Sequence, residues 1–210
     1  MLPDGEQETV PCAARGNVKR REEGVAVGDR VRMLRQNGTG VVEEVLPRRT
    51  YLVRPTVANV DQAIVVAAAA QPDPNPCLLD RLLVMSEYAG LDAVVCINKA
   101  DLVTRDECES LLRLYSDIGY KTILASARTG LGLEALSAAL AGKTSVFAGP
   151  SGVGKSALLN MVQPGHDLVE GEISEKIGRG RHTTREVRLI PLDVGGFVAD
   201  TPGFSSLDIT

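Results

Sequence analysis

The sequence predicts an α/β protein whose mostly parallel β-sheet is covered by helices on both faces and is preceded by a small all-β module. From residue 56 onward, short apolar runs typical of buried strands alternate with segments of helical periodicity. Before that point, β-favouring residues are separated by turn signals, and no helix longer than one turn is predicted. We therefore divide the chain into a β-module, 1–55, and an α/β domain, 56–210.

The β-module contains three or four predicted strands. Segment 41–46 is predicted as a strand that follows the turn signal Asn37-Gly38 and ends at Pro47. A second, shorter extended piece covers 51–53.

In the α/β domain, apolar runs predict buried strands, and apolar residues spaced three and four apart predict helices. The predicted strands are 64–70, 93–97, 122–125, 145–148, 187–192 and 197–199, and the predicted helices are 77–89, 107–118, 133–140 and 155–162. On the second helix, Leu111, Leu114, Tyr115 and Ile118 form the stripe that we expect to face the core.

Composition excludes several classes of protein. The chain is 44% hydrophobic and 24% charged, as ordinary globular proteins are. Its longest apolar run, 63–70, is far shorter than the roughly 20 residues of a membrane span, and the N-terminus lacks a secretory pattern. We therefore expect a cytoplasmic protein with no membrane partner. Four separated cysteines fit reduced thiols better than disulfides or a zinc site: Cys12, Cys77, Cys96 and Cys108.

The net charge of −4 excludes a uniformly basic surface for nucleic acid, yet two stretches are locally basic. Residues 15–35 hold seven basic and three acidic side chains, and residues 176–188 hold five basic and one acidic. Each stretch fits either a contact with a phosphate backbone or a solvated surface.

Segment 149–156 matches the phosphate-binding motif G-x-x-x-x-G-K-[ST] in full. It follows a predicted strand and opens a predicted helix, which is the context that the motif requires. The glycines let backbone N–H groups surround a phosphate, Lys155 would neutralise the β- and γ-phosphates, and Ser156 would ligate Mg²⁺. The residues predicted to bind the phosphates are Gly149, Pro150, Ser151, Gly152, Val153, Gly154, Lys155, Ser156 and Ala157.

A polar tetrad and a dipeptide follow the two preceding predicted strands and predict a guanine-reading site. They are Asn98, Lys99, Ala100 and Asp101, followed one strand later by Ser126 and Ala127. The Asp101 carboxylate can accept from N1–H and N2–H₂ of guanine, whereas adenine would leave it unpaired. Lys99 can lie along the base, and Asn98 can join neighbouring loops. Alone, the tetrad also fits a capped loop; beside the phosphate motif, it favours guanine.

The third motif, 200–203, follows the predicted strand 197–199. Asp200 can hold Mg²⁺ through water, and the N–H of Gly203 can contact a γ-phosphate. In isolation the segment fits a simple turn. As the third element of a set, it completes a site for GTP or GDP with Mg²⁺.

These motifs are those of the small GTPases, but their order differs. In the usual order the phosphate loop comes first, whereas here 98–101 and 126–127 precede 149–156, and 200–203 comes last. The sequence therefore resembles a circularly permuted GTPase. The sheet can be the same, because permutation only moves the chain ends.

A closer resemblance, over about residues 15–210, is to the RsgA/YjeQ family of ribosome-small-subunit-dependent GTPases. It rests on segments 27–31, 54–55, 58–62, 149–156, 178–184 and 200–204. The resemblance implies an OB-type β-barrel, incomplete here because fewer than five strands are predicted, before a permuted GTPase domain. It also implies GTP hydrolysis stimulated by the small ribosomal subunit and its rRNA during late maturation of that subunit. We expect a monomer without the family's zinc site, since none of the cysteines matches the zinc ligands.

The sequence offers one candidate for positioning the attacking water and two for a further Mg²⁺ ligand. Where Ras-type enzymes place a water-orienting Gln, this chain has Phe204, so we expect slow intrinsic hydrolysis that a partner completes. His182 is a candidate for positioning the water, and it also fits a solvated or RNA-contacting loop residue. Thr183 or Thr184 would ligate Mg²⁺, with Thr184 the preferred candidate.

The sequence leaves three alternative functions to be considered. One is an RNA-binding assembly module with negligible GTP turnover, which Phe204 keeps open and measurable turnover would exclude. Another is a large-subunit assembly GTPase, against which the β-module and segment 178–184 argue. The third, an ATP-using kinase, is disfavoured by Asp101.

Overall fold

The computed structural model describes residues 9–19, 24–53, 56–165 and 187–200. These ranges form a six-stranded sheet, a three-stranded sheet and a two-stranded ribbon. The strands are β1 (Cys12–Ala14), β2 (Val31–Gln36), β3 (Thr39–Val45), β4 (Tyr51–Leu52), β5 (Val57–Ala58), β6 (Gln62–Ala68), β7 (Asp92–Asn98), β8 (Lys121–Leu124), β9 (Thr144–Ala148), β10 (Arg188–Pro191) and β11 (Phe197–Asp200). The helices are α1 (Gly16–Lys19), α2 (Pro76–Tyr88), α3 (Arg105–Ser116), α4 (Leu133–Leu140) and α5 (Lys155–Val162), with a 3₁₀ helix, Ala100–Leu102, before α3. Among the described residues, no helix is long and apolar enough to cross a membrane.

The six-stranded sheet has the order β10-β11-β9-β6-β7-β8. Five neighbouring strands run parallel, and β10 at the edge pairs antiparallel with β11. Every residue of the central strand β6 is buried, and successive residues enter opposite cores. Ala63 and Val65 pack with α2 and α3, whereas Ile64 and Val66 pack with α4 and α5. The predicted α/β fold, with a largely parallel sheet covered on both faces, is confirmed.

Two helices begin directly after loops at the carboxyl edge of this sheet, and each start is capped. The side chain of Asn75 accepts a hydrogen bond from the N–H of Leu78 at 3.1 Å, and Pro76 occupies the first turn of α2. Thr104 and Glu107 exchange the two hydrogen bonds of a capping box at the start of α3. These caps fix where the loops after β6 and β7 end.

The predicted apolar stripe of α3 is partly wrong. Leu114 and Ile118 are 55% and 68% exposed, whereas Tyr115 is buried. The buried side of the helix runs through Cys108 and Tyr115, one heptad apart, with Leu111 and Leu112 half-buried between them, which turns position 114 outward. Helical spacing does not apply at position 118, because α3 ends at Ser116.

The N-terminal strands form a small sheet of order β1-β3-β2, in which β1 runs parallel to β3. Its core consists of Val18, Val42 and Val45. The turn between β2 and β3 is at Asn37-Gly38, as predicted, and both residues have positive φ. Within the described ranges these strands form no closed barrel, and the OB-type barrel stays a proposal.

The predicted boundary at residue 55 lies between the two strands of a hairpin, since β4 pairs antiparallel with β5. Val27 of the β-module forms a parallel bridge with Val57. The buried side chain of Asn59 donates to the carbonyl of Gly28 at 2.9 Å and accepts from the N–H of Arg49 at 3.0 Å. The β-module is thus hydrogen-bonded to the chain that enters β6, and the two-domain division stays a prediction.

A buried ion pair organises the β-module on that side. The guanidinium of Arg48 contacts the carboxylate of Asp29 through two hydrogen bonds, Nε–Oδ1 at 2.7 Å and Nη2–Oδ2 at 2.9 Å. Arg48 also donates to the carbonyl of Gly24 and lies 4.3 Å from the ring centroid of Tyr51. Asp29 additionally accepts from the N–H of Ala26 at 2.7 Å. Both charges are therefore compensated away from water.

Segment 58–62, one of those that carry the family resemblance, ends in two polar residues that join elements at the amino edge of the sheet. Asp61 accepts from the N–H of Thr144 at 2.8 Å. Buried Gln62 donates to the carbonyl of Ala139 at 2.8 Å and to the hydroxyl of Ser145 at 2.9 Å. These contacts link β6, α4 and β9, which gives this part of the motif a structural role.

Candidate nucleotide-binding site

The predicted motifs lie in the loops after β7, β8 and β9. Because these strands run parallel through β6, their carboxyl ends share one edge of the sheet. Segments 98–101, 126–127 and 149–156, which are distant in sequence, therefore meet there. Asp200 ends β11, which pairs parallel with β9 and so finishes at the same edge.

The loop between β9 and α5 has its predicted place, and α5 begins at Lys155. Gly149 has φ 146°, and a Cβ added there would lie 2.2 Å from the carbonyl oxygen of Val66. Gly154 has φ 89°, and its added Cβ would lie 2.4 Å from Nδ2 of Asn98. The loop therefore needs glycine at both positions to pack against β6 and the base-reading loop.

The ammonium of Lys155 lies inside this loop. Its Nζ donates to the carbonyl oxygens of Gly149 at 2.7 Å and Pro150 at 2.9 Å. Burial lowers the pKa of Lys155 from its ordinary value, because the charged form loses hydration. A bound phosphate would offer charged acceptors in place of these neutral carbonyls, and such charge-assisted hydrogen bonds are stronger.

Asn98 joins three loops through one buried amide. Its Nδ2 donates to the carbonyl of Val153 at 2.8 Å, and its Oδ1 accepts from the N–H of Ala127 at 3.2 Å. The side chain is 1% exposed, so these partners replace water. The predicted tie between the tetrad and its neighbours is present in the structure.

Lys99 extends from the same loop towards the phosphate loop. Its backbone is left-handed, with φ 60°. Its Nζ donates to the carbonyl of Gly152 at 2.6 Å and also to the carbonyl of Gln71 in the loop after β6. A fourth loop, which the sequence did not suggest, therefore contacts the site.

Asp101 carries the charge that the sequence predicts for guanine recognition. One carboxylate oxygen accepts from the hydroxyl of Ser126, and the other accepts from Nε of Arg128 at 2.7 Å. These hydrogen bonds, first from Ser126 and then from Arg128, hold the pKa of Asp101 below its ordinary value. The carboxylate is therefore ionised at neutral pH and able to accept further hydrogen bonds.

Several predicted site residues lie outside the described parts of the chain: His182, Thr183, Thr184, Gly203 and Phe204. For Asp200 only the backbone position at the end of β11 is described. The structure brings together the residues for the base and the phosphate loop. The assignments of Mg²⁺, water and γ-phosphate to the remaining residues stay predictions.

A family model described as RsgA GTPase matches residues 45–210. The chain belongs to the RsgA GTPase family. It is accordingly a GTP-hydrolysing enzyme. The predicted resemblance to the RsgA/YjeQ family is confirmed.

Two relatives named small ribosomal subunit biogenesis GTPase RsgA come from Alkaliphilus metalliredigens and Caldanaerobacter subterraneus. They are 49% and 50% identical to this chain over 206 residues, which is 97% of this chain and 70% of each relative. Both names identify GTPases of small-subunit biogenesis.

Two solved structures are also similar to this chain. YjeQ from Thermotoga maritima has a TM-score of 0.79 and 39% identity, covering 94% of this chain and 68% of that one. YloQ, described as a circularly permuted GTPase, has a TM-score of 0.76 and 37% identity, covering 99% of this chain and 68% of that one. This likeness agrees with the motif order read from the sequence.

GTPases use Mg²⁺ with their nucleotide, and the described residues fit that ion. Ser156 supplies a half-buried hydroxyl in the first turn of α5, directly after Lys155. Mg²⁺ prefers such hard oxygen ligands and takes few from the protein, with phosphate oxygens and water supplying the others. No group of three His, Cys, Asp or Glu in the described ranges could itself hold a metal ion.

Sequence reasoning missed two contributors to the site. Arg128 contacts Asp101, and its only signal was a cation directly after the Ser126-Ala127 dipeptide. The carbonyl of Gln71 contacts Lys99, and a backbone carbonyl has no sequence signal at all. Its loop could have been suspected only because it follows a parallel strand beside β7.

Proposed function

We propose that the loops described above are where this chain hydrolyses GTP, and that the chain acts in biogenesis of the small ribosomal subunit, the role that its relatives are named for. The single observation that carries the site assignment is the amide of Asn98, which bonds both Val153 of the phosphate loop and Ala127 of the base loop. That contact couples the predicted phosphate and guanine positions.

In the proposed binding mode, guanine lies against the Asp101 carboxylate, with the Lys99 stem along the base. The backbone N–H groups of 149–154 surround the phosphates, except at Pro150, which has no N–H. Lys155 exchanges the carbonyls of Gly149 and Pro150 for phosphate oxygens, which supports binding because a charged acceptor replaces neutral ones. The N–H of Gly203 is assigned to the γ-phosphate.

For the metal, we propose Ser156 as a direct ligand, with Asp200 and either Thr183 or Thr184 completing the protein contribution. When bound, Mg²⁺ would neutralise charge on the β- and γ-phosphates during hydrolysis. Supporting this assignment, Ser156 follows Lys155 in the first turn of α5, and Asp200 ends a strand at the same sheet edge.

We propose that the ribosomal partner completes the hydrolytic site. Phe204 cannot orient a water molecule, and His182 is assigned to that task in the stimulated state. The OB-type module 1–55 and the basic segments are proposed to contact rRNA. A monomer in the cytoplasm, where ribosomal subunits mature, completes the proposal.

The test is GTP turnover by the purified chain, alone, with small ribosomal subunits, and with large subunits as the control. Strong stimulation by small subunits alone would support the proposal. Turnover that neither subunit stimulates would count against a ribosomal partner, and stimulation by large subunits alone would favour a large-subunit GTPase. K155M, which removes the proposed phosphate-binding cation, should abolish stimulated turnover.

A further inference from the structure

The guanidinium of Arg128 lies on the carboxylate that the site assignment gives to guanine. Its Nε is 2.7 Å from Oδ2 of Asp101. The side chain of Arg128 is 74% exposed, whereas that of Asp101 is only 11% exposed. The arginine therefore contacts Asp101 from the solvent side while the carboxylate stays in the loop.

The second carboxylate oxygen has its own fixed donor. The hydroxyl of Ser126 accepts a hydrogen bond from the N–H of Thr129 at 3.2 Å, so its own proton is available for Oδ1 of Asp101. Ser126 is fully buried, which restricts its hydroxyl to these partners. Each oxygen of Asp101 thus receives one donor from a different residue, and the plane of the carboxylate is set.

We propose that Arg128 is a positioning residue for guanine recognition, which together with Ser126 orients Asp101 so that both carboxylate oxygens face the base at once. A carboxylate has about four acceptor positions, of which Ser126 and Arg128 use one on each oxygen. One further position on each oxygen remains for N1–H and N2–H₂ of guanine. This inference rests on the proposed function of Asp101 and adds a residue to it.

The proposed role predicts a particular change in base selectivity. Hypoxanthine retains the N1–H donor of guanine but lacks the 2-amino group. A carboxylate that is free to rotate can still accept from N1–H through either oxygen, but it holds both donors less well. Loss of Arg128 should therefore weaken binding of GDP more than binding of IDP.

The experiment is a competition titration of GDP, IDP and ADP against a fluorescent guanine nucleotide, using the full chain. R128A should lower GDP affinity about fivefold and IDP affinity less than about twofold, so that the GDP/IDP ratio falls. R128K keeps the charge but lacks the planar N–H donor of arginine. Its GDP/IDP affinity ratio should therefore fall as that of R128A does. R105A is the matched control, because Arg105 makes a similar exposed pair through Nε with Glu109 at 2.9 Å, on α3.

The outcomes separate this inference from the proposed function. An unchanged GDP/IDP ratio in R128A, or full retention of the ratio by R128K, would overturn the positioning role while wild-type preference for GDP over ADP upholds the site. An unchanged ratio includes an equal loss of affinity for GDP and IDP, which is the signature of a merely structural role. Wild-type chain without preference for GDP over ADP would overturn the proposed function, and this inference with it.

Discussion

Nδ2 of Asn98 lies 2.8 Å from the carbonyl oxygen of Val153, a residue 55 positions away in the chain. This contact joins the loop after β7 to the loop after β9. It also explains the glycine at position 154, where a Cβ would lie 2.4 Å from the same nitrogen. In the proposed site, base recognition and phosphate binding therefore share one buried amide.

Replacing this amide should weaken the fold and the site together. N98A leaves the carbonyl of Val153 and the N–H of Ala127 without their buried partner, which costs about 2 kcal/mol of unfolding free energy. GDP affinity should fall roughly tenfold, or about 1.4 kcal/mol. Urea unfolding and nucleotide titration measure the two effects. Q36A, at an exposed amide on β2, is the control, and N98A behaving like Q36A would refute the shared-amide account.

The phosphate loop should not tolerate a methyl group at its first glycine. In G149A the new Cβ would meet the carbonyl oxygen of Val66 at 2.2 Å, so the loop or β6 must move. We expect the unfolding free energy to fall by about 2 kcal/mol and GDP binding to become undetectable.

The control for this prediction is G119A. Gly119 also has a positive φ, 99°, but an added Cβ there has open space around it. It should cost only about 1 kcal/mol and leave GDP binding intact. If G119A and G149A lowered GDP affinity equally, backbone strain, rather than the contact of position 149 with β6, would explain the loss of affinity.

Lys155 is expected to serve binding at some expense of stability. Its pKa is lowered by burial in the folded chain, so the unfolded chain binds more protons at this group up to its ordinary pKa of 10.5. The unfolding free energy of the wild type should therefore rise as the pH increases from the lowered pKa of Lys155 in the folded chain to its ordinary pKa. K155M lacks this contribution and should bind GTP poorly.

The measurement is urea unfolding of wild type and K155M at about pH 7 and about pH 10. The stability of the wild type relative to K155M should increase at the higher pH. K121M, which removes an exposed lysine of β8 and keeps Lys155, is the control for the loss of a lysine charge. A wild type that loses stability relative to K155M on raising the pH would contradict the burial of the Lys155 charge.

The buried pair in the β-module should matter far more than exposed pairs near it. R48M leaves the buried carboxylate of Asp29 uncompensated, which costs about 3 kcal/mol of unfolding free energy. R32A removes an exposed pair with Glu44 and should cost less than about 1 kcal/mol. Urea unfolding compares them, and equal costs would mean that Asp29 is hydrated or otherwise compensated.

Much of the α/β domain could be predicted because its strands and helices have strong periodicity. Helices α4 and α5 have the predicted bounds, and the strands differ by a few residues at their ends. Strand β1 was not predicted, since three residues are too short for a periodic signal. The exposed side of α3 was misassigned because Leu114 and Tyr115 are both apolar and only packing distinguishes them.

In the site, the motif residues could be predicted but several of their partners could not. That Asn98 joins neighbouring loops was among the predictions. That Lys155 contacts the carbonyls of its own loop was not, because backbone acceptors leave no mark in the sequence. The contact between Arg128 and Asp101 depends on side chains from two loops, and only tertiary structure joins them.

The most direct test of the central claim measures GTP and XTP hydrolysis by wild type and D101N in the presence of small ribosomal subunits. Asn at position 101 would offer a donor to the 2-carbonyl of xanthine and lose the match to the guanine amino group. We predict that the wild type hydrolyses GTP and that D101N is slow with GTP but hydrolyses XTP at a comparable stimulated rate. D101N that hydrolyses GTP as the wild type does would contradict the placement of guanine on Asp101.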